Sequence, residues 1–480
     1  MEAGKTTRTQ WAFVPLGVLI GLLALSIAIF GADSILGPSQ VALLAAAGVA
    51  AAIGMLRYRI PWKEFEDALK GNVGSIGSAV IILLLIGAIS GTWMMSGVVP
   101  AFVCYGIKII SPKVFLLTAC VLCAIVSVMT GSSWTTIATV GVALLGIGRA
   151  EGFSDAMTAG AIISGAYFGD KVSPLSDTTV LASSINRVPL FDHIKYMMVT
   201  TIPSFTIALI VFTFLGLSHS GSDSGQIALY TETLTSTFHI SPWLMVVPLI
   251  TVILIWKRLP ALVVLALSVV TAAIAALIFQ PDIIRRLGEG ITEGSAARIY
   301  FAGTVESIYN SVSLDTGSEV VNPLVATRGM LGMLNTVFLI LSAMCFGAAL
   351  KASGMIADLA RLLTPLTKTR TGLVSSTVVT GASLNGIVSD QYLSIILTSS
   401  LYGENFDKEG YERRLLSRSV EDSSTVTSPL FPWSSCGMTQ ATILAVPTLI
   451  YAPYCLFNIL SPLMSILIAA IGFKIKRERL

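Results

Sequence analysis

Apolar residues in this chain come in runs long enough to cross a lipid bilayer, a pattern that no soluble fold can bury. At about 1.5 Å rise per residue, about 20 apolar residues cross a hydrocarbon core about 30 Å thick. Runs of this length or slightly shorter occupy 11–30, 41–56, 76–95, 114–129, 196–217, 242–256, 259–279, 331–350 and 442–473. Lipid offers bare backbone no partner, so these runs must be helices or breaks covered by protein. With 54% hydrophobic and 12% charged residues, the 480-residue chain lacks the wettable exterior of a soluble body. The fold class that follows is an all-α polytopic membrane protein with the lipid bilayer as its solvent.

Charge and reactive residues narrow the function. A net charge of +3 carries no polyanion-binding signature and excludes nucleic acid as a partner. The first run has a basic lead in Lys5 and Arg8 but no clear cleavage site, so it reads as an uncleaved span. Loop 31–40 has no Lys or Arg, whereas 57–70 has Arg57, Arg59, Lys63 and Lys70, which expects a cytoplasmic N-terminus. The basic tail of Lys474, Lys476, Arg477 and Arg479 expects the C-terminus there too. All six cysteines lie in or beside apolar stretches with no histidine near enough for a zinc set, so no metal cofactor is expected. His193, His219 and His239 lie in or beside loops and read as solvated.

The chain also repeats itself. Pro61 to Gly74 and Pro281 to Gly294 share an amphipathic entry ending in glycines. Ser96-Gly97 corresponds to Ser353-Gly354, Thr130-Gly-Ser-Ser to Thr380-Gly-Ala-Ser, and Asp170 to Asp422. Thr130 stands 40 residues before Asp170, and Thr380 stands 42 before Asp422. The division expected is N-terminal spans at 1–60, a first repeat at 61–217, a polar linker at 218–241 and a second repeat at 242–480. A stretch at 297–328 is too polar to span. Two halves of opposite topology are a common plan of secondary transporters, and Lys257-Arg258 fits such an inversion.

Each half has two polar interruptions. Pro174 disfavours helix at Ser173 and splits a broken helix at about 156–185. Asp170, Ser173, Asp177 and Thr178 then surround the freed carbonyls with oxygen ligands, which suits a hard cation. The second broken helix, at about 411–440, brings Asp422, Ser423 and Thr425, with Glu421 alongside and prolines at 429 and 432. Ahead of each break lies a segment too short to span, read as a re-entrant hairpin. The first, at about 113–148, has Ser132, Ser133 and Thr135 at its tip; the second, at about 372–401, has Asn385 and Asp390. Charged residues in apolar spans cost about 2.5–3.5 kcal/mol each, so they imply a function or a partner. No phosphate loop, nucleotide fingerprint, nucleophile–base set or HExxH occurs, so an enzyme is not expected and transport must draw on a gradient or an absent partner.

The stretches TGSSWTT, GAYFGDKVSPLSDTT and SRSVEDSSTVTSPLFPW, closing on SSCG, resemble the NhaC family of sodium/proton antiporters. The likeness extends from about residue 61 to 462. It implies a dimer with scaffold and transport regions, sodium and protons as the species carried, and a plasma-membrane location. It also implies ion-binding positions at Asp170, Ser173, Asp177, Thr178, Asn385, Asp390 and Asp422, with Asp170, Asp177 and Asp422 as sodium ligands. Its relatives include exchangers of malate and lactate, so a small carboxylate or an amino acid is the alternative cargo. Arg413, Arg414 and Arg418, just ahead of the second break, keep that alternative open.

Overall fold

The computed structural model describes residues 2–30, 37–75, 77–218, 224–257, 259–319, 321–360 and 368–475. His219 and the tail residues Lys476, Arg477 and Arg479 lie outside them. The described residues form helices without strands, in keeping with an all-α membrane protein. Six helices are long and apolar enough to cross a bilayer, and three bent pairs raise that to nine if each pair is one span.

The first helices are α1 (Glu2–Phe30), α2 (Pro38–Tyr58), α3 (Trp62–Ser75), α4 (Gly77–Met95) and α5 (Val98–Ile109). Next come α6 (Phe115–Thr130), α7 (Ser133–Thr136), α8 (Val142–Ala150), α9 (Asp155–Val172), α10 (Asp177–Ile185) and α11 (Leu190–Leu217). The linker expected at 218–241 contains α12 (Ser224–Thr237), followed by α13 (Val246–Trp256) and α14 (Ala261–Phe279). After α15 (Pro281–Glu289), the polar stretch holds α16 (Ala296–Tyr309) and α17 (Asn322–Val325). Then follow α18 (Leu334–Ala352), α19 (Met355–Ala360), α20 (Arg370–Val388), α21 (Gln391–Lys408) and α22 (Arg413–Val420). The last are α23 (Ser435–Leu444), α24 (Thr448–Tyr451) and α25 (Leu456–Ile471).

Helices α1, α2, α3 and α18 pack around one apolar cluster, and α4 packs against α14 and α16. Elsewhere the first hairpin packs on α9, and the second hairpin, α20 and α21, packs on α10, α22 and α25. No residue of α9 is exposed, although its sequence is hardly more apolar than a soluble helix. Glycines explain how it is enclosed. A Cβ on Gly165 would lie 2.0 Å from the Cys120 carbonyl oxygen, and one on Gly169 would lie 2.4 Å from that of Ala124. Backbones of α6 and α9 therefore touch, as at small-residue crossings in membranes. The similarly spaced Gly17 and Gly21 of α1 face open space. Gly165→Val should lower the thermal unfolding midpoint of the detergent-purified protein, overpacking costing about 1–3 kcal/mol. Gly21→Ala should leave that midpoint unchanged or slightly raised, and equal behaviour of the two variants would contradict the packing argument.

From the first hairpin tip to the start of α11, the chain repeats with a constant offset of 258 residues. Left-handed backbone recurs at Gly131 and Ser389, at Gly152 and Gly410, and at Arg187 and Ala445. Helices α9 and α22 begin 258 apart, as do α11 and α24. Caps match as well: Ser132, Ser176, Asp390 and Ser434 each accept the backbone N–H three residues on. Packing is reciprocal, with α10 on α21 of the other half, and α23 on α8 and the π-helical turn Ile137–Gly141.

This register corrects two equivalences drawn from the sequence. Helix α20 runs unbroken through Thr380-Gly-Ala-Ser, and the second tip falls at Ser389-Asp390. Gly381 is a contact glycine pressed on the Ser423 and Ser424 hydroxyls, not a turn. Asp170 corresponds to Ser428, so Asp422 sits six residues earlier in its own half. The matching hydrogen bonds agree: Ser133 donates to Asp170, and Ser428 donates to Gln391 Oε1 at 3.3 Å.

Candidate functional site

At the first break α9 stops at Val172, and Ser173 takes an extended conformation, as a residue before proline must. Ser173 Oγ then donates to the Val128 carbonyl at 2.8 Å, tying the break to α6. Ser176 caps α10 and its hydroxyl pairs with that of Thr178 at 3.0 Å. Across the break, Ser132 caps α7 and so aims the next residue at α9. Ser133 donates to Asp170 Oδ2 through its backbone N–H at 3.1 Å and its hydroxyl at 2.7 Å. The hairpin tip and the broken helix thus meet at one carboxylate.

Asp170 is 6% exposed, and that sliver faces a cavity of about 810 Å³. Ser132, Ser133, Thr135, Asp177 and Thr178 line it as well, with Gln391 and Tyr392 contributed by the other half. Two carboxylates and several hydroxyls are present, and no Lys, Arg or His is among the described lining residues.

The second break is arranged differently. After α22 the chain makes the π-helical turn Glu421–Thr425, all of it fully buried. Asp422 forms an ion pair with Lys171 of α9, both side chains wholly enclosed. Its Oδ1 also accepts the Thr200 hydroxyl at 2.9 Å, while Lys171 donates to Ser461 Oγ at 2.9 Å. Arg418 Nε stands 3.8 Å from Asp422 Oδ2, with its guanidinium over the Tyr196 ring. Asn385 donates to the Ser424 carbonyl at 2.7 Å and to Thr427 Oγ1 at 3.0 Å, holding α20 on the π turn. Ser423 bonds back to the Ser419 carbonyl, and Asp390 caps α21 beside the cavity. The structure therefore brings Ser132, Ser133, Thr135, Asp170, Asp177 and Thr178 together. It places Asp422, Ser423, Thr425 and Asn385 in a fully buried layer behind them.

A family model for the Na+/H+ antiporter family matches residues 5–180 and 165–473. The chain belongs to that family. It is 36% identical to the Na(+)/H(+) antiporter NhaC of Alkalihalophilus pseudofirmus, over 99% of this chain and 98% of that one. Identity to the NhaC of Bacillus subtilis is 34%, covering 86% of this chain and 88% of the relative. The Malate-2H(+)/Na(+)-lactate antiporter of Bacillus subtilis is 33% identical, over 87% and 86%.

Within this family member, the buried ionisable side chains beyond the expected site residues include Lys171, Glu421 and His193. Lys171 carried a readable signal, since a lysine inside the apolar stretch that ends in GDKVSP needs a buried anion. Glu421 was adjacent to an expected residue but not distinguished from it. His193 was expected in solvent and is instead fully buried, its Nδ1 2.7 Å from Ser417 Oγ. Pro189 caps α11 at its first turn, which puts His193 inside the helix and against α22. His239 is exposed, as expected. Arg413 and Arg414 pair with Asp407 and Glu412, outside the cavity.

Proposed function

We propose that the protein is a secondary active transporter that exchanges sodium for protons across the plasma membrane by alternating access. The observation that carries this reading is Asp170. It is a nearly enclosed carboxylate at the meeting of a hairpin tip and a helix break, facing a hydroxyl-lined cavity. Its neighbour Lys171 is committed to Asp422, so no described cation neutralises Asp170. A desolvated carboxylate without a cation favours its proton, and a bound sodium ion favours its charge. One group can therefore hold either species but not both. Asp170, Ser133 and Thr178, with Asp177 at the rim, supply the hard oxygen ligands. Asp422, an expected ligand, serves as the counter-ion of Lys171. The absence of a described basic residue on the cavity favours an inorganic cation over the carboxylate that the malate–lactate relative's name specifies. Positive charge between 57 and 70 supports a cytoplasmic N-terminus, and the family likeness supports a homodimer.

Competition follows with a definite sign. Sodium binding releases the proton, so by linkage protons weaken sodium binding as pH falls. For each proton displaced, apparent sodium affinity should drop about tenfold per pH unit on the acid side of the titration. Proteoliposomes loaded with a pH dye test both points. Sodium pulses alone should collapse an imposed pH gradient, with a half-saturating concentration that rises steeply in acid. A gradient that collapses only when malate or lactate is added would establish the carboxylate exchanger instead.

A further inference from the structure

Glu421 is a carboxylate for which the site above finds no use. It is fully buried, its Oε1 accepts the Thr178 hydroxyl at 3.4 Å, and its Oε2 has no hydrogen-bond partner. Thr425 Oγ1, four residues on, is equally buried and turns its hydroxyl toward the Glu421 carboxyl. Both stand on the π-helical turn Glu421–Thr425, where the regular helical ladder is interrupted, as it frequently is at functional sites. Buried oxygens without donors are costly in a folded protein. Thr178 links them to the cavity, since it lines that space with Asp170 while touching Glu421. A buried carboxylate oxygen without a donor, with two hydroxyl oxygens beside its carboxyl, has the chemistry of a site for a dehydrated monovalent cation.

Charge makes the same point. Lys171 and Arg418 both face Asp422, which leaves one positive charge in excess while Glu421 is protonated. Ionised Glu421 cancels that excess, and a cation arriving then is balanced by Asp170. The ionisable groups around Glu421 are Lys171 and Asp170 of α9, Asp177 of α10, His193 of α11 and Asp390 at the head of α21. Arg418 and Asp422 lie on its own segment. Resting on the sodium–proton reading, we propose that Glu421, Thr425 and Thr178 form an inner sodium site behind Asp170. Sodium takes the place of a proton on Glu421, and that proton leaves through the cavity.

Calorimetric sodium titration of the purified full-length protein in buffers from acid to alkaline tests this. Glu421→Gln should weaken sodium binding about tenfold or more, as loss of a charged ligand does. It should also lower by one the number of protons displaced per sodium. Glu421→Asp keeps the charge with a shorter reach, so it should bind sodium more weakly than wild type even if the Gln variant fails to fold. Adding Arg418→Met to Glu421→Gln removes the charge excess. If Glu421 were only a counter-charge, this double variant would regain wild-type sodium affinity, which overturns the inner site. Persistently weak binding supports it, and wild-type affinity and proton count in Glu421→Gln overturn it. Wild-type protein that binds no sodium would overturn the sodium–proton reading and the inner site together, a failure visible before any variant is made.

Discussion

Asp170→Asn yields a folded, inserted protein whose sodium–proton exchange is slower than wild type by about a hundredfold or more. The fold is retained because the amide oxygen still accepts from Ser133, and because a neutral side chain is cheaper to enclose than a carboxylate. Exchange is lost because the amide neither binds a proton near neutral pH nor neutralises sodium. A hundredfold loss corresponds to about 2.7 kcal/mol, within the range for removing a charged partner from a buried contact. Dye-loaded proteoliposomes give the rate, and size-exclusion chromatography with a thermal melt establishes folding. Asp177→Asn should be far milder, since Asp177 is exposed at the rim. A well-folded Asp170→Asn protein exchanging at the wild-type rate would remove Asp170 from the mechanism.

Local chemistry made Asp170 legible in the sequence. A proline in an apolar run, preceded by Ser and flanked by acids, favours a break in a helix, and the break is where the cavity forms. The first hairpin was read from the shortness of its second arm alone, since its first arm, α6, is long enough to cross a bilayer. Register between the halves was harder, because it depends on packing. The letters TGAS at 380–383 resemble the first tip, yet there the glycine admits the Ser423 and Ser424 hydroxyls against an unbroken helix. The true second tip, Ser389-Asp390, shares no letters with Gly131-Ser132 except through function. Asp and Ser both cap helices, and either residue can be accommodated in a left-handed turn when the surroundings hold it there.

The ion pair at the second break was illegible for a different reason. Lys171 and Asp422 are 251 residues apart in sequence, and each looks equally like a ligand until the fold joins them. His193 shows the same limit, since its surroundings are decided by a helix more than 200 residues away. Charges in apolar sequence declare that a partner exists, but only the tertiary arrangement names it. The consequence is functional: an acid that meets a lysine serves as its counter-ion, and an acid that meets only hydroxyls is left to pair with a cation from outside.

Asp422→Asn should therefore injure the protein in another way, through stability. Lys171 Nζ loses its anion while fully enclosed, and Arg418, also fully buried, loses the acid it faces. Breaking a buried pair from one side costs about 3–5 kcal/mol, because the surviving charge is left unpaired. Here two cations are stranded, so the upper part of that range applies. Thermal unfolding of the detergent-solubilised variant at a fixed scan rate should show a large fall in midpoint, and expression should fall with it. Lys171→Met combined with Asp422→Asn removes one stranded cation and should recover much of the loss. A charge-free replacement of similar size can be as stable as the pair it replaces. Recovered stability should not bring recovered exchange if Lys171 also holds the breaks of α9 and the π turn in register. An Asp422→Asn protein as stable as wild type would mean that water or another anion already satisfies Lys171, and the counter-ion role of Asp422 would fall.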